Sequence, residues 1–340
     1  MKKKKILYLG NNLASKGYSP TSIDILGLQL EEIAIVKRYS NTVNATLRFL
    51  DMMVSILSNR KWSDVVLIDT YSSFAFYYAT FAALLANYMK IPYILILHGG
   101  NLECRLRRNT RFSRYIFKHS YTLVAPSGFM RQLFLKYGYS NIKLIPNNID
   151  LSLYPFLHRI HVRPTILWVR SFASLYNPQL AIYMIDVLKN EFSDIQLCFV
   201  GPEKDGTMEE CQMLTQEKQL ENRIIFKGKL SKDDWIALSA EYDIFLSTTN
   251  IDNTPISVME AMALGMVVVS TNAGGVPYLI EDAENGYLYN VGDLEGLINT
   301  MRSVLRLDNG DLSLNARKKA ENWDWEIVKE QWKELFDELG

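Results

Sequence analysis

Cysteine is scarce in this chain, with Cys104, Cys198 and Cys211 as the only three among 340 residues. Their number is odd and they are widely scattered, so they fit neither a disulfide framework nor a zinc cluster. Such sparse, unpaired cysteines are typical of proteins in a reducing compartment. We therefore expect a cytoplasmic protein.

Long apolar runs are missing as well. The basic start Met1–Lys5 leads into the short apolar run Ile6–Gly10, which does not have the length of a signal-peptide core. The segment Thr70–Met89 has no charged residue, but it contains hydroxyl groups and an asparagine that suit a lipid-facing helix poorly. We expect a buried or half-buried helix in this segment and no membrane span.

Two kinds of cofactor motif are also absent. The loop Gly10–Thr21 follows the first predicted strand, but it lacks the glycine pattern G-x-G-x-x-G that is typical of dinucleotide-binding folds. The sequence has no Asp-x-Asp pair and no cluster of histidines and acids at metal-ligand spacing. The sequence therefore predicts neither a nicotinamide cofactor nor a catalytic metal.

Charge is unevenly distributed along the chain, although the formal net charge is zero. Residues 1–150 carry 20 Lys and Arg against 8 Asp and Glu, while residues 151–340 carry 17 against 29. A positive first half would attract anionic partners such as phosphates, anionic lipid surfaces or nucleic acid. The alternative is a pair of oppositely charged domains whose surfaces simply attract each other.

What the chain does have is a regular alternation of short β-rich runs with helix-length segments, which is typical of α/β folds with parallel sheets. The Pro- and Asn-bearing stretch Pro146–Pro164 is the predicted domain boundary. The tail Asn315–Leu339 is predicted to be helical. The predicted strands are Lys5–Leu9, Asp64–Ile68, Tyr93–Leu97, Thr122–Ala125 and Lys143–Ile145 before the boundary, and Thr165–Val169, Gln196–Val200, Ile224–Lys227, Ile244–Ser247 and Val267–Thr271 after it.

The segment from 242 to 287 contains most of the candidate functional residues. A predicted strand ends near Ser247, a polar loop with Asp252 follows, and a helix begins around Ile256–Val258 with Glu260 one turn inside it. A helix N-terminus binds anions because its first N–H groups are unpaired and carry partial positive charge. Carboxylates beside it can accept hydrogen bonds from sugar hydroxyls. Spacing alone leaves the alternative that Asp252 caps the helix and Glu260 is solvated.

The residues after this helix make the pattern specific. Ala261–Gly265 ends the helix, and the strand Met266–Ser270, the small loop Ala273–Pro277 and the turn Glu284–Tyr287 follow in that order. This ordered string resembles the family 4 retaining glycosyltransferases. The resemblance covers essentially the whole chain. It implies the GT-B fold, in which two Rossmann-like domains face each other across a deep cleft.

The resemblance also implies roles for the residues around the helix start. Asp252, which stands where the family usually has Glu, would contact the donor sugar, and Glu260 would hold the ribose hydroxyls. Backbone amides at Ile256 and Ser257 would hold the diphosphate. The preceding loop, where the family commonly has Gly-Phe-Gly or Gly-Phe-Pro, would also line the donor site through Asn253, Thr254 and Pro255.

A second match is Leu167–Arg170, which resembles the family strand that ends in Gly-Arg. Arg170 is therefore predicted to bind the diphosphate, because its fork of donors can bridge two phosphate oxygens. The family's lysine shortly after this arginine is missing, so either Tyr176 and Asn177 bind the phosphate or a cation comes from elsewhere. The basic stretch that could supply it contains Arg105, Arg107, Arg108 and Arg111. Two further turns that match the family, the second of which commonly borders the base, contain Gly201 and Leu230.

In the first half, His98 stands at the carboxyl end of a predicted strand, where α/β sheets bind ligands. A lone histidine is otherwise structural, but the family commonly places one here against the donor sugar, so His98 is predicted to belong to the catalytic site. Gly99 and Gly100 follow it and would let a ligand approach the backbone. Gly17, in the loop after the first strand, is predicted to contribute to donor binding.

The resemblance implies a retaining hexosyltransferase that uses a UDP- or GDP-type sugar donor and a glycan or lipid-linked acceptor in surface polysaccharide biosynthesis, and the missing metal motifs predict that it is metal-independent. The predicted parts are an acceptor-side domain at 1–155, a nucleotide-sugar domain at 156–320 and a C-terminal helix at 321–340 that packs back on the first domain. Contact with an anionic membrane is expected, and a nucleic acid partner is not. The rivals are a sugar-nucleotide epimerase of the same fold, with His98 as its obvious acid or base, and a non-catalytic module that binds anionic surfaces through Lys2–Lys5 and Arg105–Arg114.

Overall fold

The computed structural model describes residues 3–18, 20–99, 102–108 and 110–339. The chain forms two compact units. Unit 1 comprises Met1–Pro146 together with Trp325–Gly340, and unit 2 comprises Asn147–Asp324. The predicted boundaries were residue 155 for the end of the first domain and residue 321 for the start of the tail helix.

Six parallel strands form the sheet of unit 1 among the described residues, in the order β2-β1-β3-β4-β5-β6. The central strands are buried on both faces, which explains why most of their residues are Val, Ile or Leu. The order reverses direction between β1 and β3, and such a switch point is where α/β sheets bind ligands. The strands are β1 Lys5–Leu9, β2 Ile35–Tyr39, β3 Val65–Thr70, β4 Tyr93–Leu97, β5 Thr122–Ala125 and β6 Ile142–Leu144.

Helices connect these strands as crossovers, and side-chain caps start several of them. Asn44 accepts hydrogen bonds from the amides of Thr46 and Leu47, and Ser127 accepts one from Met130. The helices of unit 1 are α1 Ser22–Gln29, α2 Ala45–Asn59, α3 Ala75–Tyr88, α4 Leu102–Arg108, α5 Arg111–His119, α6 Gly128–Lys136 and α13 Trp325–Asp337.

The C-terminal helix α13 belongs to the core of unit 1. Its Trp332 and Phe336 pack in one buried cluster with Ile6 and Tyr8 of β1. Burying an apolar side chain of this size contributes about 1.5–3 kcal/mol, so the cluster fixes the helix firmly. The prediction that the tail helix packs on the first domain is confirmed.

The sheet of unit 2 has the order β12-β11-β10-β7-β8-β9. Counted within the unit and read from β9, this is 3-2-1-4-5-6, the order of dinucleotide-binding folds, and its switch point lies between β7 and β10. The strands are β7 Thr165–Val169, β8 Gln196–Val200, β9 Ile224–Gly228, β10 Ile244–Ser247, β11 Val267–Thr271 and β12 Tyr287–Tyr289. The helices are α7 Gln179–Leu188, α8 Thr207–Glu217, α9 Lys232–Leu238, α10 Ile256–Ala263, α11 Leu294–Arg306 and α12 Gly310–Glu321.

The prediction of an α/β fold with two Rossmann-like domains is confirmed. Two strands were not predicted from the sequence. In the edge strand β2, polar Lys37 and Arg38 interrupt the apolar pattern, and β12 has only three residues. The uncharged segment after Thr70 contains the half-buried helix α3, as predicted. None of the helices in the described ranges is both long and apolar enough to cross a membrane.

Candidate functional site

A depression lies at the switch point of unit 2, where β7 and β10 end side by side. Arg170 follows β7, and a loop after β10 leads to the N-terminus of α10. The depression therefore combines a cation, a carboxylate and a helix start. Its lining residues are Trp168, Val169, Arg170, Tyr176, Phe245, Leu246, Ser247, Thr248, Thr249, Asp252, Pro255 and Ser257.

Arg170 and Asp252 form an ion pair at the centre of this depression. The Arg170 guanidinium also lies 4.5 Å from the ring centroid of Tyr176, which contributes a cation–π interaction. Its side chain is 30% exposed, so it can still reach a ligand. Burial raises the pKa of the Asp252 carboxyl, while Arg170 and the amides of Asn253 and Thr254 oppose that shift.

The N-terminus of α10 opens toward the same depression. The residue before its first turn is Pro255, and among the described residues no side chain caps the helix. Pro255 cannot cap it with a side chain, and its carbonyl oxygen accepts a hydrogen bond from the amide of Val258. Because Asp252 accepts from the loop amides before the helix, the alternative that it caps α10 is wrong. The amides of Ile256 and Ser257 come first in the helix and are suited to bind an anion.

The glycine pair after β11 holds this loop in place. A Cβ atom on Gly274 would lie 2.1 Å from the carbonyl oxygen of Asp252, and one on Gly275 would lie 1.7 Å from that of Asn253. The Gly275 amide donates to the Asp252 carbonyl at 2.9 Å. These residues must be glycine because the two loops are in backbone contact. The motif therefore positions the loop that carries Asp252.

Glu260, one turn inside α10, is buried with 7% exposure. Its Oε1 atom accepts a hydrogen bond from the Tyr154 hydroxyl at 2.7 Å and lies 3.0 Å from Nζ of Lys232. Burial, together with the Glu260 charge, raises the pKa of Tyr154, so the phenol stays protonated and donates. The alternative of a solvated Glu260 is wrong. The sequence analysis missed both Tyr154 and Lys232.

The remaining predicted donor residues of unit 2 surround the depression without lining it. Asn177 ends a short 3-10 turn with φ 46°, a left-handed conformation that Asn tolerates. A Cβ on Gly201 would lie 1.7 Å from the Arg170 carbonyl oxygen, so this glycine allows β8 to approach that strand end. Leu230 packs against the apolar cluster that contains Val169 and Ile256. Asn253 and Thr254 are buried in the loop.

In unit 1, His98 lies in a network at the end of β3. Its Nε2 atom lies 2.8 Å from Oδ1 of Asp69, and Oδ1 also accepts a hydrogen bond from the Tyr8 hydroxyl at 2.8 Å. The ring of Tyr71 stacks on His98 with centroids 5.2 Å apart. Burial raises the pKa of both Tyr8 and Tyr71, and the Asp69 charge adds to each shift. His98 is thus held by partners that the sequence analysis did not identify.

Asp69 is the most unusual member of this network. It is 5% exposed, and its Oδ2 atom has no hydrogen-bond partner among the described residues. A Cβ on Gly10 would lie 2.5 Å from that oxygen, so Gly10 leaves space beside it. Gly10 follows β1 and Asp69 lies in β3, which places both at the switch point of this sheet. The signal for Asp69 in the sequence is an acid within an otherwise apolar buried strand.

The other predicted residues of unit 1 lie around this network. Gly99 packs against Ser72, whose amide nitrogen would lie 2.6 Å from a Cβ at that position. Gly17 is exposed, with φ 85°, in the turn after β1. Lys2 and Gly100 lie outside the described residues. No group of three or more His, Cys, Asp or Glu side chains that could hold a metal occurs within the described ranges.

Comparison with known proteins accounts for both units. Residues 157–323 match the family model described as glycosyl transferases group 1, and residues 6–153 match the model of glycosyltransferase family 4. This chain belongs to the family 4 glycosyltransferases. Similar curated proteins include N-acetyl-alpha-D-glucosaminyl L-malate synthase of Bacillus anthracis, 32% identical over 41% of this chain and 34% of that protein. Sulfoquinovosyl transferase SQD2 of Arabidopsis thaliana is 31% identical over 30% of this chain and 21% of its own length.

The family 4 chain thus aligns with about a fifth to a third of the length of these curated relatives. Solved structures are similar over the whole length. HepE of Anabaena, in complex with UDP, has a TM-score of 0.76 and 18% identity, covering 98% of this chain and 100% of that one. Sucrose-phosphate synthase of Thermosynechococcus elongatus has a TM-score of 0.78 and 13% identity, with 99% of each chain covered. The fold of this family 4 chain is therefore GT-B, as predicted.

Proposed function

We propose that this chain transfers a sugar from a nucleoside diphosphate sugar of the UDP or GDP type to a glycan or lipid-linked acceptor. One observation carries the proposal: Arg170 pairs with Asp252 in a depression that is also lined by Ser257 at the N-terminus of α10. This arrangement offers a cation and the first amides of a helix for a diphosphate, with a carboxylate beside them that can accept hydrogen bonds from hydroxyls.

Each group would have a distinct role in this reaction. Arg170 and the amides of Ile256 and Ser257 would stabilise the negative charge that grows on the diphosphate as its bond to the sugar lengthens. Glu260, held by Tyr154, would accept hydrogen bonds from the ribose, and Asp252 would accept one from the sugar. These fixed charges would replace a divalent ion, so we propose transfer without a metal and, as in the family, with retention of configuration.

The relatives support a role in surface glycan or glycolipid synthesis. One of them is named as a putative colanic acid biosynthesis glycosyltransferase, WcaL of Escherichia coli, which is 29% identical over 37% of this chain. Another is the sulfoquinovosyl transferase described above. HepE was solved with UDP-glucose as well as UDP. For this chain we propose a surface polysaccharide acceptor and peripheral contact with an anionic membrane.

The test is a thermal-shift screen of UDP, GDP and their sugar conjugates in excess EDTA. A ligand that binds the folded protein stabilises it, by about 2.7 kcal/mol at a concentration of 100 times Kd. We expect one nucleotide class to raise the melting temperature of the wild-type chain, and Arg170→Ala to lose the shift. No shift with any nucleotide would refute the donor site, and a shift that requires Mg²⁺ or Mn²⁺ would refute the metal-free part.

A further inference from the structure

An apolar cavity lies in unit 1 between α3 and α5, beside the end of α4. Its cavity volume is about 210 Å³. Its walls are mainly side chains such as Phe76, Phe81, Leu84 and Phe112. Phe81 and Phe112 are 50% and 63% exposed. An exposed apolar concavity of this size indicates a binding site for an apolar group.

The threonine and serine hydroxyl groups in this cavity are already bonded to neighbouring atoms. Thr80 donates to the carbonyl oxygen of Phe76 at 2.8 Å, and Thr110 and Ser113 share a hydrogen bond of 2.7 Å. The other polar side chains of the lining are Tyr77, Arg105 and Arg108, and no acidic residue is among the described residues that line the cavity. The cavity therefore suits an apolar chain that ends in an anion.

Arg105 connects this cavity to the network around His98. Its guanidinium lies 4.9 Å from the ring centroid of Phe76 and donates to the carbonyl oxygens of Ser72 at 3.1 Å and Ser73 at 3.3 Å. Ser72 directly follows Tyr71, whose ring stacks on His98. An anionic group bound at the arginines would therefore lie next to the network at the carboxyl end of the sheet.

A second apolar groove continues from the cavity toward α2. Its volume is about 200 Å³, and it shares Tyr77 and Phe81 with the cavity wall. On α2 it is lined by Ala45, Thr46 and Phe49. The cavity and the groove together form an apolar path that is longer than the cavity alone. It fits a long flexible chain better than a compact ligand.

We propose that this cavity binds the lipid chain of a lipid-linked acceptor, with Arg105 and Arg108 facing the acceptor's phosphate groups. This inference rests on the proposed transferase function, because the bound lipid would be part of the molecule that accepts the sugar. Arginine suits phosphate because its planar fork donates two parallel hydrogen bonds. Positions 1–150 contain 20 basic and 8 acidic residues, and the resulting positive field favours the binding of such an anion.

The test is isothermal titration of the full chain with farnesyl diphosphate, which has an isoprenoid chain and an anionic head, in the absence of a sugar donor. Inorganic diphosphate and farnesol supply the head and the tail alone. We expect one farnesyl diphosphate to bind per chain, at least about tenfold more tightly than either part. Leu84→Trp, which narrows the cavity, and Arg108→Gln should each weaken binding about tenfold.

Matched substitutions on α6, Leu135→Trp and Arg131→Gln, should leave the affinity unchanged because neither residue lines the cavity. Arg170→Ala should also bind farnesyl diphosphate normally, although it loses the nucleotide shift. Binding that is lost in Arg170→Ala, that inorganic diphosphate reproduces, or that survives Leu84→Trp would overturn the proposal. Failure of farnesyl diphosphate to bind, with an intact nucleotide shift, would overturn this inference alone and leave the donor site standing.

Discussion

In unit 2 the strands at the switch point lead to Arg170 and to the polar loop of Asp252, whereas in unit 1 the corresponding strands lead to Gly10 and Asp69. Arg170 is partly exposed and paired with a carboxylate that the same ligand would meet. Asp69 is almost fully buried, between Tyr8 and His98. Unit 2 thus presents a partly exposed arginine that is paired with a buried carboxylate, while unit 1 buries its acid and presents aromatic and arginine side chains.

This difference indicates that the two units, although similar in architecture, have different roles: unit 2 is suited to bind an anion, and unit 1 is suited to position a side chain and bind an apolar group. Because the Arg170 guanidinium has five donors and is partly exposed, it can bind a phosphate while it stays paired with Asp252. A buried acid with fixed neighbours positions a side chain instead. An apolar cavity with arginines at its mouth selects by shape and by chain length. Substitutions in unit 2 should therefore affect transfer and donor binding, whereas substitutions in unit 1 should affect membrane binding or the position of His98.

The largest effect is expected in unit 2. Arg170→Ala should lower kcat/KM for transfer by about 10²- to 10³-fold, because it removes a fixed positive charge from the departing diphosphate. Circular dichroism should show an intact fold. Arg306→Ala is the matched control, since that arginine is 64% exposed and pairs with Glu191 far along the chain. Equal activity of Arg170→Ala and the control would remove Arg170 from the site.

The next largest effect is expected on membrane binding by arginines on the surface of unit 1. The double variant Arg107→Gln/Arg111→Gln should bind anionic vesicles at least about tenfold more weakly than the wild-type chain, because each basic residue near an anionic bilayer adds to the attraction. Wild-type binding should be lost near 1 M salt, where charges are screened over about 3 Å. Vesicle sedimentation measures both. Lys218→Gln/Lys319→Gln in unit 2 is the control, and wild-type binding to neutral vesicles of equal strength would contradict the membrane proposal.

Glu260→Gln in unit 2 should raise KM for the donor by about tenfold, because hydrogen bonds to a charged group contribute about 1.5–3 kcal/mol. Lys232→Met should have a smaller effect. The two substitutions should be non-additive, since Lys232 Nζ and Glu260 Oε1 are 3.0 Å apart. Initial rates at varied donor concentration give the double-mutant cycle, with Glu209→Gln on α8 as the control. Strict additivity would show that the pair does not act together at the donor.

The architecture was predictable because buried parallel strands are read directly from apolar runs. The buried strands Tyr93–Leu97 and Val267–Thr271 were predicted residue for residue. Strand β2 was missed because an edge strand with Lys37 and Arg38 has no such run. Local patterns therefore predict the centre of each sheet better than its periphery.

The candidate site of unit 2 was partly predictable because Arg170, Asp252 and the start of α10 lie in motifs with fixed spacing. Tyr154 and Lys232 were not, since they reach Glu260 from sequence positions 106 and 28 residues away, and no local pattern records such a contact. The cavity of unit 1 depends on how three helices pack. Its residues appear in the sequence as ordinary aromatic and arginine side chains.

A smaller effect on kcat/KM is expected when Asp252 becomes protonated. Burial raises the pKa of this carboxyl, so it takes up a proton at higher pH than an ordinary Asp near 3.9. If the ionised form accepts the sugar hydroxyl, kcat/KM should fall as pH drops through that raised pKa and should recover above it. The pH profile of kcat/KM measures this. Asp252→Asn should lower activity overall and abolish this acid limb, and a limb that persists in Asp252→Asn would belong to another group.

The smallest effect is expected for Asp69→Asn in unit 1, because the amide keeps an oxygen where Oδ1 now accepts hydrogen bonds from Tyr8 and His98. The Oδ2 atom is buried without a partner among the described residues, so removing the charge should leave the melting temperature unchanged or raise it. We expect kcat to fall about three- to tenfold with little change in donor KM, since a looser His98 is a positioning defect. Asp64→Asn, at the other end of the same strand, is the matched control. A rise in donor KM as large as that of Glu260→Gln would contradict the division between the units, because it would make Asp69 part of the donor site.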